Sequence, residues 1–124
     1  MFKKVLLVDD SLSARMIIKQ YLQIVGCQGA AFTEAKNGKE ALDILKTETF
    51  NLIVTDMNMP VMDGNEFIQR LKASPKYSGI PIIIISSAAN KDNEAHFMKF
   101  GANYVISKPV SPQLLHKAIS ALDT

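Results

Sequence analysis

The sequence has no tryptophan and only one cysteine, and nowhere does it run apolar for the roughly 18 residues that a membrane-spanning helix requires. The lone Cys27 excludes a disulfide within the chain. We expect it to be a small packing residue and not a nucleophile, because no histidine or basic residue adjoins it. No leader with an apolar core and a small-residue cleavage site is recognisable. We therefore expect a cytoplasmic protein that does not insert into a membrane.

An excess of charge of one sign is also lacking. The chain has 14 Lys and Arg against 12 Asp and Glu, a formal net charge of +2. The basic residues are spread from Lys3 to Lys117, with no run longer than Lys3-Lys4. This distribution does not favour nucleic-acid binding. The glycine-rich patterns of P-loop and dinucleotide-binding proteins do not occur either.

Short apolar runs are present, and most of them end in a polar group. The chain's 124 residues, 48% of them hydrophobic, are enough for one domain, residues 1–124, that buries roughly two-thirds of its unfolded surface. The runs and the polar groups after them are Val5–Val8 before Asp9-Asp10, Leu52–Val54 before Asp56, Ile82–Ile85 before Ser86-Ser87, and Val105-Ile106 before Ser107-Lys108.

Between these runs lie segments in which apolar residues recur at helical spacing, and residues that can cap a helix precede these segments. Five strand-helix repeats follow from this pattern, which predicts an α/β fold with a parallel sheet, helices on both faces and right-handed crossovers. The weakly apolar second strand is expected at an edge. The predicted strands are Lys3–Val8, Ala30–Glu34, Leu52–Thr55, Ile80–Ile85 and Tyr104–Ile106, and the predicted helices begin near Ser11 or Ser13, Asn37, Asp63, Asn90 and Ser111.

Three carboxylates converge if the first and third strands are neighbours. Asp9, Asp10 and Asp56 would then repel one another, and at least one would have a raised pKa. A divalent cation is the usual remedy. All-oxygen ligation with room for water and phosphate favours Mg2+ over Ca2+, and no histidine or cysteine nearby indicates zinc.

Phosphoryl transfer is the chemistry that such a site predicts. Asp56 is the best-placed nucleophile and would form an aspartyl phosphate. Lys108 could act as a point charge toward one phosphoryl oxygen, and Ser86 could donate to another. Each signal alone is weak, since acids at loop starts are often helix caps. Their joint position at strand ends is what favours a site, whereas His96 and His116 lie on predicted helices away from it.

The motifs as a set resemble the receiver domains of two-component response regulators. The resemblance covers essentially all of the chain and is strongest to the stand-alone chemotaxis (CheY-like) regulators. It implies a flavodoxin-like, doubly wound sheet in the order 2-1-3-4-5, an order for which a chemotaxis regulator is a standard example. The matching motifs are Val8-Asp9-Asp10, Asp56 to Pro60 continuing into Met62-Asp63-Gly64, Ser86, Gly101-Ala102 and Lys108-Pro109.

The resemblance also assigns roles to the site residues. It implies that Asp56 is phosphorylated by a phosphohistidine of a sensor histidine kinase or phosphotransfer domain. It implies that Mg2+ is held by Asp10, Asp56 and the backbone carbonyl of Asn58, with Asp9 acting through water. Ser86 would move to meet the phosphoryl group and Lys108 would pair with it.

A protein of this family is a switch more than a turnover enzyme. It catalyses its own phosphorylation and dephosphorylation, and we expect the change to alter the surface of the fourth helix, fifth strand and fifth helix for a downstream protein target. The Lys108-Pro109 bond is expected to be cis. We expect a free-standing regulator that acts by protein contact, although a domain cut from a longer protein fits the same residues.

The sequence departs from the family at Val105, where a tyrosine or phenylalanine usually stands. Tyr104 is adjacent, but neighbouring strand residues point to opposite faces, so we expect it not to replace the missing aromatic. A smaller shift carried by Ser86 and the fourth helix is then expected. Ala88 and Asn58 lie where the family varies the side chains near the attacking water, and we expect open access there.

Three other functions remain as alternatives. A haloacid-dehalogenase-type phosphatase normally needs a second acid where Asn58 stands. A flavodoxin-like cofactor binder would meet an acidic first turn, which repels a flavin phosphate. The third alternative is a receiver-fold interaction or dimerisation module without regulated phosphorylation. The residues do not identify the kinase, the target or the phosphoryl lifetime.

Overall fold

The computed structural model describes residues 2–87 and 91–122, with the backbone alone for residues 91–94. Strands and helices alternate along the chain, as predicted, and most observed ends differ from the expected ones by one or two residues. The expected helix start at Asn90 lies outside the described residues. The elements are β1 Lys4–Val8, α1 Leu12–Val25, β2 Ala31–Ala35, α2 Gly38–Leu45, β3 Leu52–Thr55, α3 Gly64–Lys72, β4 Ile82–Ser86, α4 Lys91–Phe100, β5 Tyr104–Ser107 and α5 Pro112–Leu122.

The strands form one parallel, five-stranded sheet in the order β2-β1-β3-β4-β5. This confirms the predicted order and places β2 at an edge. β1 and β3 pair in the register Val8 to Thr55, so the residues that follow them leave the sheet side by side. The chain reverses from β1 through α1 to the edge strand, and the later strands extend the sheet the other way, which opens a crevice at the carboxyl ends of β1 and β3.

Each face of the sheet is covered by its own hydrophobic cluster, and the strand residues alternate between the two. On β3, Ile53 packs with α2, α3 and α4, whereas Val54 packs with α1 and α5. On β5, Val105 belongs to the first cluster and Tyr104 to the second. The expectation that Tyr104 points away from the position of the missing aromatic is therefore confirmed.

Helices α1, α2 and α3 begin directly after predicted capping residues. The Ser11 hydroxyl accepts from the Ala14 N–H at 3.2 Å, and the Asn37 and Asp63 side chains accept from N–H groups three residues later. Asn37 followed by Glu40 is also the pattern of a capping box, in which the glutamate would accept from the N–H of Asn37 itself, but the structure differs. The Glu40 carboxylate accepts from the N–H of Lys36, the residue before the cap, at 3.3 Å.

Candidate functional site

The three predicted carboxylates lie together at the carboxyl ends of β1 and β3. Asp9, Asp10 and Asp56 each offer a carboxylate oxygen, and these oxygens all lie within 4.8 Å of one another. The backbone brings them together, because the Asp56 N–H donates to the carbonyl of Val8 at 2.9 Å and so continues the pairing of the two strands. The convergence predicted from the strand ends is therefore present.

The Asp56 carboxylate is buried and held from two sides. Its Oδ1 accepts from the Met57 N–H at 2.7 Å, and its Oδ2 accepts from Nζ of Lys108 at 3.1 Å. The Asn58 N–H is more distant, 3.5 Å from Oδ1. Since the side chain is only 9% exposed, its charge is balanced by these donors more than by bulk water.

Lys108 reaches the cluster from the end of β5. Its Nζ lies 3.1 Å from Oδ2 of Asp56 and 3.5 Å from Oδ2 of Asp9. Partial burial lowers the pKa of Lys108, but the hydrogen bond to Asp56 and the attraction of both carboxylates outweigh it, so that the pKa is raised. The ammonium group therefore stays charged at neutral pH. The Lys108-Pro109 peptide bond is cis, as expected.

Ser86 lies within the sheet, at the carboxyl end of β4. The sequence placed it just after the strand, whereas it is the last residue of β4 and is fully buried. Its carbonyl accepts from the Lys108 N–H at 3.1 Å, and it faces Ser107 in the strand register. Ser86 and Lys108 are thus linked through the backbone of neighbouring strands.

Every polar group of Asp9 has a donor or acceptor nearby. Its N–H donates to the Ala35 carbonyl at 3.1 Å, and its Oδ1 accepts from the Ser11 N–H at 2.9 Å. Burial raises the pKa of Asp9, the Ser11 N–H and Lys108 lower it, Asp56 raises it further, and the net shift is upward. The sequence predicted a raised pKa from mutual repulsion. The direction is confirmed, but burial is the larger cause.

Asp10 and Asn58 are the exposed members of the predicted site. Asp10 turns one carboxylate oxygen to the cluster while remaining open to solvent. A ligand role for the Asn58 carbonyl remains a prediction. Ala88, the other position expected near the attacking water, lies outside the described residues.

The sequence analysis missed Arg15. Its side chain is 8% exposed, its Nη1 donates to the Asp9 carbonyl at 2.6 Å, and its Nε donates to Oε1 of Glu34 at 2.7 Å. A signal was available, because Arg15 shares the buried face of α1 with Ile18 and Leu22. A charged residue on an otherwise apolar helix face needs a buried partner.

The cluster fits a hard divalent cation. Three carboxylates supply only oxygen, the ligand type that Mg2+ prefers, and the exposure of Asp10 leaves space for water. The group of possible metal ligands found among the described residues contains no histidine, and the His96 ring instead stacks on that of Phe100 on α4, with 6.0 Å between centroids. Among the described helices none has the length and apolar character needed to cross a membrane.

The chain is similar to known proteins over most of its length. The family model of the response regulator receiver domain matches residues 5–120. A CheY homologue of Campylobacter jejuni is 38% identical over 117 residues, covering 94% of this chain and 88% of the relative. The chemotaxis protein CheY of Pseudomonas aeruginosa is 32% identical over 119 residues, covering 96% of this chain and 94% of its own.

A solved structure agrees with these sequence matches. The chemotaxis response regulator CheY4 of Vibrio cholerae superposes with a TM-score of 0.83 at 32% identity, covering 97% of this chain and 98% of the other. The superposition therefore covers nearly the whole of both chains.

Proposed function

Because the chain belongs to the response regulator receiver domain family, we propose that it is a phosphoacceptor switch of a two-component system, with Asp56 as the phosphorylated residue. One observation carries the proposal. The Asp56 carboxylate is buried at the end of a central strand, beside two further carboxylates and 3.1 Å from a lysine ammonium group. A buried carboxylate in such a setting is poised to act as a nucleophile.

The proposed reaction transfers a phosphoryl group from histidine to aspartate. A carboxylate oxygen of Asp56 bonds to phosphorus as the N–P bond of a phosphohistidine breaks, and the imidazole keeps the electron pair and takes up a proton. Hydrolysis later adds water to phosphorus, releases inorganic phosphate and restores the carboxylate. Lys108 would pair with one phosphoryl oxygen, and the Ser86 hydroxyl would donate to another.

We propose Mg2+ as the cofactor of this site. Asp10, Asp56 and the Asn58 carbonyl would hold it directly, and Asp9 would act through water. Bound there, Mg2+ would neutralise charge on the phosphoryl oxygens. The all-oxygen donor set and the solvent exposure of Asp10 support the choice of metal.

Receiver domains are signalling switches, so the proposed partners are proteins. The phosphoryl donor would be a sensor histidine kinase or phosphotransfer domain, and a downstream protein would read the surface of α4, β5 and α5. The support is the hydrogen bond from the Lys108 N–H to the Ser86 carbonyl, through which a movement of the Ser86 backbone would be passed to the residues that follow β5. With Val105 packed in the core cluster, the shift would proceed without a rotating aromatic ring. We also propose that residues 1–124 form a single domain and that the protein is cytoplasmic.

Phosphorylation by acetyl phosphate tests the proposed function. The protein is incubated with acetyl phosphate and Mg2+, and intact mass is measured for the parent and for Asp56→Asn, with EDTA in parallel samples. We expect a gain of one phosphoryl group that requires both Mg2+ and Asp56. A folded parent that gains no phosphoryl group would instead favour the interaction module without regulated phosphorylation.

Chemical-shift mapping tests the proposed output surface. Beryllofluoride and Mg2+ are added to isotope-labelled protein, and backbone amide shifts are compared with those in Mg2+ alone. We expect changes across residues 88–119, with α2 as an internal reference that stays nearly constant. Changes confined to the immediate surroundings of Asp56 would exclude this output surface while leaving phosphorylation intact.

A further inference from the structure

Arg15 connects the acidic cluster to the edge strand of the sheet. Its guanidinium group binds two acceptors on different elements, the Asp9 carbonyl at the end of β1 and the Glu34 carboxylate on β2. Both bonds are short, 2.6 and 2.7 Å, as expected for a charged donor. The rigid, planar fork of arginine serves both acceptors at once in a way that a lysine cannot.

The bond to the Asp9 carbonyl has a consequence for two carboxylates. The peptide unit between Asp9 and Asp10 is planar. Holding its oxygen therefore restricts the Asp9 backbone and also the position of the Asp10 Cα, from which the Asp10 side chain extends. The Asp9 N–H is already held by the Ala35 carbonyl at 3.1 Å. That N–H belongs to the peptide unit before Asp9, so the bond from Arg15 holds the peptide unit after Asp9, and both units that flank Asp9 are restrained.

We propose that Arg15 is a positioning residue for metal binding: it orients Asp9 and Asp10 through the carbonyl between them, and Glu34 holds its guanidinium group in place. This inference rests on the proposed function, since it concerns the same Mg2+ site. Partners that orient a metal's ligands typically contribute roughly 10- to 100-fold in metal affinity. We expect an effect of that size here.

The sign of the effect separates positioning from simple electrostatics. Arg15 is a positive charge next to a cation site, and its removal also leaves Glu34 without its partner. Coulomb's law alone therefore predicts that Arg15→Gln binds Mg2+ more tightly. Positioning predicts the opposite, weaker binding.

Two variants and a control make the test. Arg15→Gln removes the charge and the fork, whereas Arg15→Lys keeps the charge and removes the fork. Arg70→Gln is the matched control, because Arg70 also pairs with a glutamate, at 2.9 Å on the exposed face of α3 and away from the cluster. The Kd for Mg2+ is measured by titration of magnesium chloride with amide chemical shifts, and the midpoint of thermal unfolding is recorded for each protein.

We expect Arg15→Gln to raise the Kd for Mg2+ by roughly 10-fold or more in protein that is still folded at the titration temperature, and Arg15→Lys to raise it as well. Arg70→Gln should leave the Kd unchanged. If Arg15→Gln does not fold, the charge-conserving Arg15→Lys decides the question.

The possible failures are distinguishable. Mg2+ binding by the parent with an equal or lower Kd in the folded Arg15 variants would overturn the positioning role and leave the proposed function standing. A lowered unfolding temperature with an unchanged Kd would do the same, because it shows a purely structural role. No Mg2+ binding by the parent would overturn the metal site and this inference together.

Discussion

The two ends of the sheet carry different polar side chains: neutral amides at the amino end and charged groups at the carboxyl end. At the amino end, neutral side-chain amides accept hydrogen bonds from backbone N–H groups near the starts of the strands. Oδ1 of Asn51 accepts from the N–H groups of Lys3 and Lys4 at 3.2 and 3.0 Å, and Oδ1 of Asn103 accepts from the Ile82 N–H at 2.9 Å. Both asparagines are exposed, so that these bonds require no buried charge.

At the carboxyl end, charged side chains follow the strands, and two of the carboxylates are buried. Asp9 and Asp56 are 3% and 7% exposed, and Lys108 is drawn in between them. Burying a charge costs free energy even when it is paired. Among the residues that the structure describes, the buried charged side chains are Asp9, Arg15 and Asp56, all part of this end or bonded to it, and such an asymmetry is typical of a site kept for its chemistry.

The largest effect is expected where α3 packs against the acidic loop. A Cβ on Gly64 would lie 2.6 Å from the Asp56 carbonyl oxygen and 2.7 Å from the Met57 Cα, and neither backbone atom can move cheaply. We expect Gly64→Ala to lower the free energy of unfolding by about 3 kcal/mol, the upper end of overpacking costs. Urea denaturation measures it.

Gly79 provides the control at the other end of the sheet. A Cβ there would have no neighbour within 4 Å. Gly79→Ala should change the free energy of unfolding by no more than about 0.5 kcal/mol. Equal losses in the two variants would show that the two ends are packed alike, contrary to the account.

A medium effect is expected from the amide at the amino end. Asn103→Ala removes the acceptor of the Ile82 N–H and should destabilise the fold by about 1 to 2 kcal/mol. The same variant should gain a phosphoryl group from acetyl phosphate as the parent does. Loss of phosphorylation in folded Asn103→Ala would mean that the two ends are not separate in function.

Removing a charge from the carboxyl end should have the opposite sign. Burial raises the pKa of Asp9, so the folded state disfavours the ionised carboxylate. Stability is therefore lost as the pH rises through the folded-state pKa, and Asp9→Asn should be more stable than the parent at neutral pH by about 1 kcal/mol, the usual size of such trade-offs.

The pH dependence of that difference is its control. In EDTA, the stability advantage of Asp9→Asn should shrink as the pH falls and Asp9 in the parent takes up a proton. Urea denaturation at several pH values measures it. A parent more stable than Asp9→Asn at neutral pH would show that Lys108 and the Ser11 N–H compensate fully for burial.

The smallest effect is expected in the loop after Asp56. Val61 has φ +68°, and the Met62 N–H donates to the Pro60 carbonyl at 2.7 Å, which is a γ-turn around a β-branched residue. Val61 is also 80% exposed, so its side chain gains little from packing. Val61→Asn should stabilise the fold by about 0.5 to 1 kcal/mol.

Val61→Ile is the matched control for this strain. It keeps the branched Cβ and should leave the unfolding midpoint in urea unchanged. Equal midpoints for Val61→Asn and the parent would show that the turn stores no strain.

The fold could be predicted from the sequence because its signals are local. Apolar runs, caps such as Ser11 and Asp63, and strict alternation lead to a parallel sheet, and polar residues at the strand ends indicate where the site lies. The resemblance supplied the strand order. Asp9, Asp10, Asp56 and Lys108 lie together as predicted, while their roles and that of Ser86 remain predictions.

The features that were missed depend on contacts distant in the chain. Arg15 lies 19 positions from Glu34, and only the pairing of β1 with β2 brings them together. The main cause of the raised pKa of Asp9 is burial beneath surrounding elements, which no local pattern reports. The Glu40 carboxylate bonds to Lys36 and not to the cap residue, and the choice depends on the exact path of the backbone.

The central claim is that Asp56, at the carboxyl end of the sheet, is the residue that accepts the phosphoryl group. Fluorine NMR with beryllofluoride, a mimic of a phosphoryl group, tests it most directly in the presence of Mg2+. The account predicts resonances of bound fluoride in the parent, and none in Asp56→Asn or when EDTA replaces Mg2+. Bound resonances in Asp56→Asn, or none in the folded parent, would contradict it.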